Sequence, residues 1–120
     1  MYKILLYEDA RGNSPLANFI AELDRKAPTD KAARNLLKKF YYSVELLRQN
    51  GTRCGEKFTK QIDGKLWELR PDDYRVFFFM WNGNHIVLLH GFRKTSNRTP
   101  NLEIEKAKQE MESWNTRYLT

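Results

Sequence analysis

Hydrophobic and polar positions change period along the chain, and each change predicts a new structural element. Residues 2–7 (YKILLY) are mostly apolar and aromatic, and the DARGN sequence that follows is typical of a turn, so a first strand is predicted there. In residues 14–23 the apolar side chains recur at spacings of three and four, which indicates a short amphipathic helix. Ser14 is its predicted N-cap, and Pro15 takes the first helical position.

A longer amphipathic helix is predicted next, because apolar residues again recur every three or four positions after the sequence APTD. Thr29 or Asp30 is the predicted N-cap, and the Asn50-Gly51 pair is a typical helix stop. In residues 52–64 this periodicity is lost among Gly, Lys and Thr residues. That segment is therefore predicted to be a loop.

Three strands are predicted in succession after this loop. Residues 65–70 (KLWELR), 74–81 (YRVFFFMW) and 85–92 (HIVLLHGF) are rich in aromatic and branched side chains, and PDD and NGN separate them. Short connections of this kind favour an antiparallel meander.

A last helix is predicted in residues 98–119, with Thr99 as its cap and Pro100 at the first helical position. Its apolar stripe consists of Ile104, Ala107, Met111, Trp114 and Tyr118. Such a stripe either packs on the sheet or docks a partner, and core packing is the favoured interpretation. The predicted fold is α+β, in the order β-α-α-β-β-β-α, with a small, mainly antiparallel sheet and the helices on one face.

Composition narrows the class of protein. With 120 residues, 41% of them hydrophobic, the chain is predicted to form a single domain, residues 1–120. Cys54 is the only cysteine, which excludes an intrachain disulfide and suits a reducing cytoplasm. No stretch is apolar enough for a membrane span, and the N-terminus makes a poor secretory signal. A net charge of +6 favours a phosphate polymer or an acidic protein as partner.

Polar residues interrupt the predicted meander at Glu68, Arg70, Arg75 and His90. A two-residue turn at Asn82-Gly83 would place Arg75 opposite His90, and a four-residue PDDY loop would place Arg70 opposite Arg75. These registers align the polar residues on one face. The other face is then predicted to be entirely apolar and to form the core: Trp67, Leu69, Val76, Phe78, Met80, Val87 and Leu89.

Two arginines side by side in a sheet repel each other unless something anionic neutralises them, so this face is a candidate phosphate site. Basic residues just after the last strand extend the same positive surface: Arg93, Lys94 and Arg98. Alternatively, Glu68, Asp72 and Asp73 pair with the arginines on a solvated face that binds nothing. The residues alone leave both interpretations open.

The sequences KQIDGKLWELR, YRVFFFM and HIVLLHGFRKTSNRTPNLEIEKA, in this order, resemble the HigB-like branch of the RelE/ParE superfamily of toxins. The resemblance implies the toxin half of a bacterial or phage type II toxin–antitoxin pair, with a small sheet flanked by helices. It implies a cytoplasmic endoribonuclease that cleaves mRNA on the ribosome without a metal or small-molecule cofactor. The implied partners are a HigA-like helix-turn-helix antitoxin, the ribosome and mRNA.

Site residues follow from the same resemblance. Arg75 matches the arginine at the start of the middle strand, and Arg93 and Lys94 match the basic group after the final strand. With Glu68 and His90 as candidates for proton transfer, these residues are the predicted catalytic group. A structural His90, bonded to a neighbouring side chain or a backbone carbonyl, is an equally good interpretation of the sequence. A further basic group is predicted to contact RNA phosphates: Lys65, Arg70 and Arg98.

Two other functions share this fold pattern. ParE-like relatives bind DNA gyrase and carry out no nuclease chemistry, and a third possibility is a module that only binds its antitoxin. Two arginines and a histidine on one sheet face favour the ribonuclease.

Overall fold

A computed structural model describes residues 1–119 of the chain. In chain order the elements are β1 (Lys3–Leu6), α1 (Pro15–Lys26), α2 (Lys31–Asn50), β2 (Thr59–Asp63), β3 (Leu66–Leu69), β4 (Tyr74–Trp81), β5 (His85–Arg93) and α3 (Asn101–Arg117). The predicted α+β class is confirmed, as is the predicted element order, to which the structure adds one strand. That strand, β2, lies in residues predicted to form a loop.

Both N-terminal helices begin as the sequence predicts. The Ser14 hydroxyl accepts a hydrogen bond from the Ala17 backbone N–H, and the Asp30 carboxylate accepts one from Ala33. α2 ends at Gly51, whose φ of 60° is readily accessible only to glycine. A Cβ at this position would lie 2.8 Å from the Tyr2 ring, so glycine also lets the N-terminal segment pack against the end of the helix.

The five strands form one sheet in the order β1-β5-β4-β3-β2. β1 runs parallel to β5, and every other neighbouring pair is antiparallel, so the prediction of a mainly antiparallel sheet is confirmed. Leu69 pairs with Val76, which is the register predicted for the β3–β4 connection.

The predicted register between β4 and β5 is wrong for two physical reasons. Trp81 pairs with His85, so the connecting loop has three residues instead of two, and its last carbonyl, from Asn84, accepts a hydrogen bond from Lys3 of β1. Between the Val76–Gly91 and Phe78–Leu88 pairs, β5 also contains one residue more than β4, which is a β-bulge. Arg75 therefore lies opposite Phe92.

Helices cover both faces of the sheet, so the prediction that they all pack on one face is wrong. Residues of α1 and α2 pack on one face against Leu69, Val76, Phe78, Ile86 and Leu88. On the other face, Ala107 and Trp114 of α3 pack against Leu66, Phe77, Phe79, Val87 and Leu89. Val87 and Leu89 thus belong to the second core and not to the face predicted for them. Four residues of the predicted stripe, Ile104, Ala107, Met111 and Trp114, pack in this core as the favoured interpretation predicts, whereas Tyr118 is exposed.

Within residues 1–119, no helix combines the length and the apolar character needed to cross a membrane.

Candidate functional site

A small cleft opens on the α3 side of the sheet, beside the β3–β4 connection. Its second wall is the segment that joins β5 to α3. We call it the Arg75 cleft, and its lining residues are Glu68, Arg70, Arg75, Phe92, Lys94, Ser96, Asn97, Arg98 and Thr99. Five of the residues predicted from the sequence to form the site thus come together here: Glu68, Arg70, Arg75, Lys94 and Arg98.

Arg75 is held at the base of the cleft by its own loop. Its Nη1 donates hydrogen bonds to the backbone carbonyls of Asp72 and Tyr74, at 2.9 and 2.7 Å. Its Nε lies 3.8 Å from Glu68 Oε2, and only 9% of the residue is exposed. Burial lowers the pKa of the guanidinium, and the Glu68 carboxylate opposes that effect. The result is a cation fixed in position before any ligand arrives.

Glu68 is the buried centre of the polar network, with 1% of its surface exposed. Its Oε2 accepts a hydrogen bond from Arg70 Nε at 3.0 Å, and its Oε1 accepts one from the Thr99 hydroxyl at 3.0 Å. A buried carboxylate needs such partners, and here they tie both walls of the cleft together. The carboxylate therefore orients the two arginines and the loop that ends at Thr99.

The cleft has a strong excess of positive charge. Arg70, Arg75, Lys94 and Arg98 contribute four cations against the single carboxylate of Glu68. The alternative of carboxylates paired with the arginines is confirmed in part, because Glu68 pairs with Arg70 and Arg75 and Asp73 pairs with Arg93, whereas Asp72 pairs with Lys39. In the cleft itself, Arg70 and Arg75 share one carboxylate, and Lys94 and Arg98 add further positive charge. An anion such as a phosphate group matches this charge.

Two of the predicted residues lie away from the cleft. Arg93 follows Phe92 in β5, so its side chain points to the opposite face, where Nη1 lies 2.5 Å from Asp73 Oδ2. Lys65 is exposed at the β2–β3 turn. The functional roles predicted for them remain predictions, and the geometry does not connect either residue with Arg75.

His90 is buried and faces α3 instead of the cleft. Its Nδ1 lies 2.5 Å from Glu110 Oε1, and its Nε2 lies 3.0 Å from Glu103 Oε1. Each ring nitrogen of His90 thus lies within hydrogen-bond distance of a glutamate side chain of α3. These contacts form a polar cluster that joins β5 to α3.

The sequence interpretation missed two features of this region. Thr99 was predicted to cap α3, but the cap position is Pro100, without a side-chain hydrogen bond, and the Thr99 hydroxyl turns to Glu68 instead. Glu103 and Glu110 were not identified as partners of a histidine. Their spacing of seven residues, alongside the apolar stripe of α3, was the available signal that both face the sheet.

Other ionisable groups offer little chemistry near neutral pH. Burial raises the pKa of Tyr74 to about 12, so its hydroxyl stays protonated. Burial likewise raises the pKa of the Cys54 thiol, which makes it a poor nucleophile. Within residues 1–119, no group of three or more His, Cys, Asp and Glu side chains is arranged to hold a metal ion.

Solved structures resemble this chain only distantly. One is the YoeB-YefM complex from Staphylococcus aureus, with a TM-score of 0.49, 16% sequence identity, and coverage of 76% of this chain and 94% of the other. Another is the heterotetrameric complex of the YoeB-YefM toxin-antitoxin from the same organism, with a TM-score of 0.49, 17% identity, and coverage of 80% and 98%. Neither likeness is close enough to transfer an activity or a partner.

Comparison of the sequence with models of protein families identifies the family of this chain. No curated protein sequence is detectably similar to the chain. A family model described as phage derived protein Gp49-like (DUF891) matches residues 20–112, well over half of the chain, from the middle of α1 into α3 and including every residue of the Arg75 cleft. The chain therefore belongs to the phage-derived Gp49-like family.

Proposed function

We propose that this protein is the toxin of a type II toxin–antitoxin pair and cleaves mRNA, with the Arg75 cleft as its active site. The observation that carries the proposal is a buried arginine, fixed by its own loop, in a cleft where four cations face one carboxylate. The motifs that resemble the HigB-like branch of the RelE/ParE superfamily include this cleft and support the same conclusion. The proposed partners are a HigA-like helix-turn-helix antitoxin and the ribosome with its mRNA, in the cytoplasm.

The reaction that suits this cleft is attack of an RNA 2′-hydroxyl on its own adjacent phosphate. The 2′-oxygen bonds to phosphorus, the bond from phosphorus to the 5′-oxygen breaks, and the 2′-proton leaves as the 5′-oxygen gains one. The products are a 2′,3′-cyclic phosphate and a 5′-hydroxyl. No enzyme nucleophile is needed, so the protein acts by positioning the phosphate and stabilising the charge that builds on it.

Each lining cation has a distinct part in this proposal. Arg75 is pre-positioned and contacts a non-bridging phosphate oxygen, where charge grows in the transition state. Lys94 and Arg98 close on the phosphate from the opposite wall. Glu68 holds Arg70 and Arg75 in place, and its carboxylate is the candidate acceptor of the 2′-proton.

Induction of the protein without its antitoxin tests the proposal directly. We expect growth arrest, loss of translation, and mRNA fragments that end in a 2′,3′-cyclic phosphate, while plasmid supercoiling stays unchanged. Changed supercoiling with intact mRNA would favour the gyrase inhibitor. Normal growth despite confirmed expression of folded protein would contradict the toxin assignment itself.

Arg98 provides a test of the electrostatics, since it is exposed and its removal should leave the fold intact. Each phosphate contact to single-stranded RNA contributes roughly 0.7 to the slope of log affinity against log salt. Arg98→Ala is therefore expected to weaken RNA binding and to reduce that slope by about 0.7 in a fluorescence anisotropy titration. Lys3→Ala is the matched control, because exposed Lys3 lies in edge strand β1 and pairs with His85 at the start of β5, away from the cleft, and it should leave the slope unchanged. Equal slopes for both variants would exclude a phosphate contact by Arg98.

A further inference from the structure

A second surface adjoins the Arg75 cleft and contains two aromatic rings. Tyr42 of α2 and Phe58, just before β2, lie with ring centroids 6.2 Å apart at an interplanar angle of 60°. They line an open hollow that is broader than the cleft, and we call it the Tyr42 hollow. Tyr42 is 60% exposed, although a large aromatic side chain is stabilised by burial. The packing of the fold therefore does not account for a tyrosine at this position.

The charges around the hollow match those of a nucleic-acid site. Lys57 Nζ lies 5.6 Å from the centroid of the Phe58 ring, and Lys39 and Arg70 also line the hollow. The one carboxylate in the lining, that of Asp72, pairs with Lys39 at 3.3 Å. Three cations thus surround two aromatic rings with one opposing charge. Single-stranded RNA is bound by this combination, because bases stack on the rings and cations hold the phosphates.

Arg70 connects the two surfaces. It lines both the Arg75 cleft and the Tyr42 hollow, and it is held between them by Glu68 on one side and by the Glu56 carbonyl, 2.9 Å from its Nη1, on the other. A strand with a phosphate in the cleft therefore reaches the hollow without crossing an uncharged gap.

We propose that the Tyr42 hollow is a second RNA subsite, in which one base next to the cleaved dinucleotide stacks on Tyr42. This inference rests on the proposed ribonuclease function and adds to it a contact outside the reacting atoms. The subsite is indifferent to base identity, because every base has a face that can stack. The stacked base holds the RNA strand in a fixed position relative to Arg75.

Binding of a short single-stranded 2′-O-methyl RNA, which cannot be cleaved by 2′-hydroxyl attack, tests the subsite. Tyr42→Ala is expected to weaken binding roughly 5- to 150-fold, the range for loss of one stacked base. Tyr42→Phe keeps the ring and should bind like the unaltered protein. The matched control is Tyr41→Ala, which removes a tyrosine of α2 that is 50% exposed but packs on Phe40 and lies outside the hollow.

Abasic RNAs identify the stacked base. Removing the base at one position should weaken binding to the unaltered protein, and Tyr42→Ala should be insensitive to that same removal. If Tyr42→Ala binds every RNA normally while Arg98→Ala binds weakly, the subsite is refuted and the ribonuclease proposal stands. If the unaltered protein binds no RNA at all, the subsite is refuted, and the mRNA fragments after induction decide the ribonuclease proposal separately. If Tyr42→Ala loses affinity only for the antitoxin, the hollow is a protein-docking site and the inference is wrong.

Discussion

Replacement of Arg75 by alanine is expected to abolish toxicity and to lower the proposed cleavage rate about 100- to 1000-fold, the usual effect of losing one donor that stabilises transition-state charge. Two backbone carbonyls and Glu68 fix the Arg75 guanidinium, so no other cation of the cleft occupies its position. Arg75→Lys should fail as well, because an ammonium cannot donate to these carbonyls and a phosphate in the same planar geometry.

The fold of the Arg75→Ala variant has to be measured alongside its activity. Loss of the two hydrogen bonds is expected to cost on the order of 1 to 3 kcal/mol, and Glu68 keeps Arg70 and Thr99 as partners. Thermal melts show whether the variant is folded, and growth after induction shows whether it is toxic. Arg25→Ala, which removes an exposed arginine of α1 paired with Glu22, is the matched control and should remain toxic. A folded Arg75→Ala variant with full toxicity would remove the residue from the mechanism.

Local signals predicted the helices well, because their determinants lie within a few residues. Ser14 with Pro15, and Asp30 with its following apolar periodicity, mark the two helix starts without reference to the rest of the chain. β2 was missed for the opposite reason. Its residues, TKQID, are mostly exposed and polar, and they form a strand only because β3 offers a neighbour.

The sequence contains a signal that both faces of the sheet are covered, and the prediction of one polar and one apolar face did not use it. Residues 76–79 (VFFF) are all buried, and an uninterrupted apolar run of this kind indicates a strand with packing on both sides. The predicted two-residue turn placed Val87 and Leu89 on the same face as Phe78, whereas the three-residue loop pairs Val87 with Phe79 on the other face. The run itself predicts two cores.

The candidate site was predictable only in part, because its residues are brought together by the pairing register of neighbouring strands. Glu68, Arg70 and Arg75 adjoin one short connection, and the β3–β4 register that joins them was predicted correctly. The position of His90 depended on a turn length and on a bulge, and a shift of one residue changes which side chains meet. No local sequence pattern fixes a bulge inside an apolar strand.

Replacement of His90 by alanine is expected to destabilise the fold by about 1 to 3 kcal/mol, because it leaves the buried Glu110 side chain without its hydrogen-bond partner. Glu110 is only 7% exposed, and its Oε1 lies 2.5 Å from His90 Nδ1. The measurement is chemical unfolding followed by circular dichroism. Glu103→Gln is the control, since this partner is about one-third exposed and a neutral amide can still accept a hydrogen bond, so a much smaller loss is expected.

A double variant separates a structural role for His90 from the catalytic role suggested by the sequence. Replacing His90 and Glu110 together by leucine removes both buried polar groups, and stability should recover toward that of the unaltered protein. This variant contains no imidazole at position 90. Because His90 faces α3 and not the Arg75 cleft, its RNA cleavage is expected to stay within a few-fold of normal, whereas general acid–base catalysis typically contributes 100- to 10,000-fold. If the double variant is stable but its RNA cleavage falls by 100-fold or more, His90 has a catalytic role. The active site would then include α3.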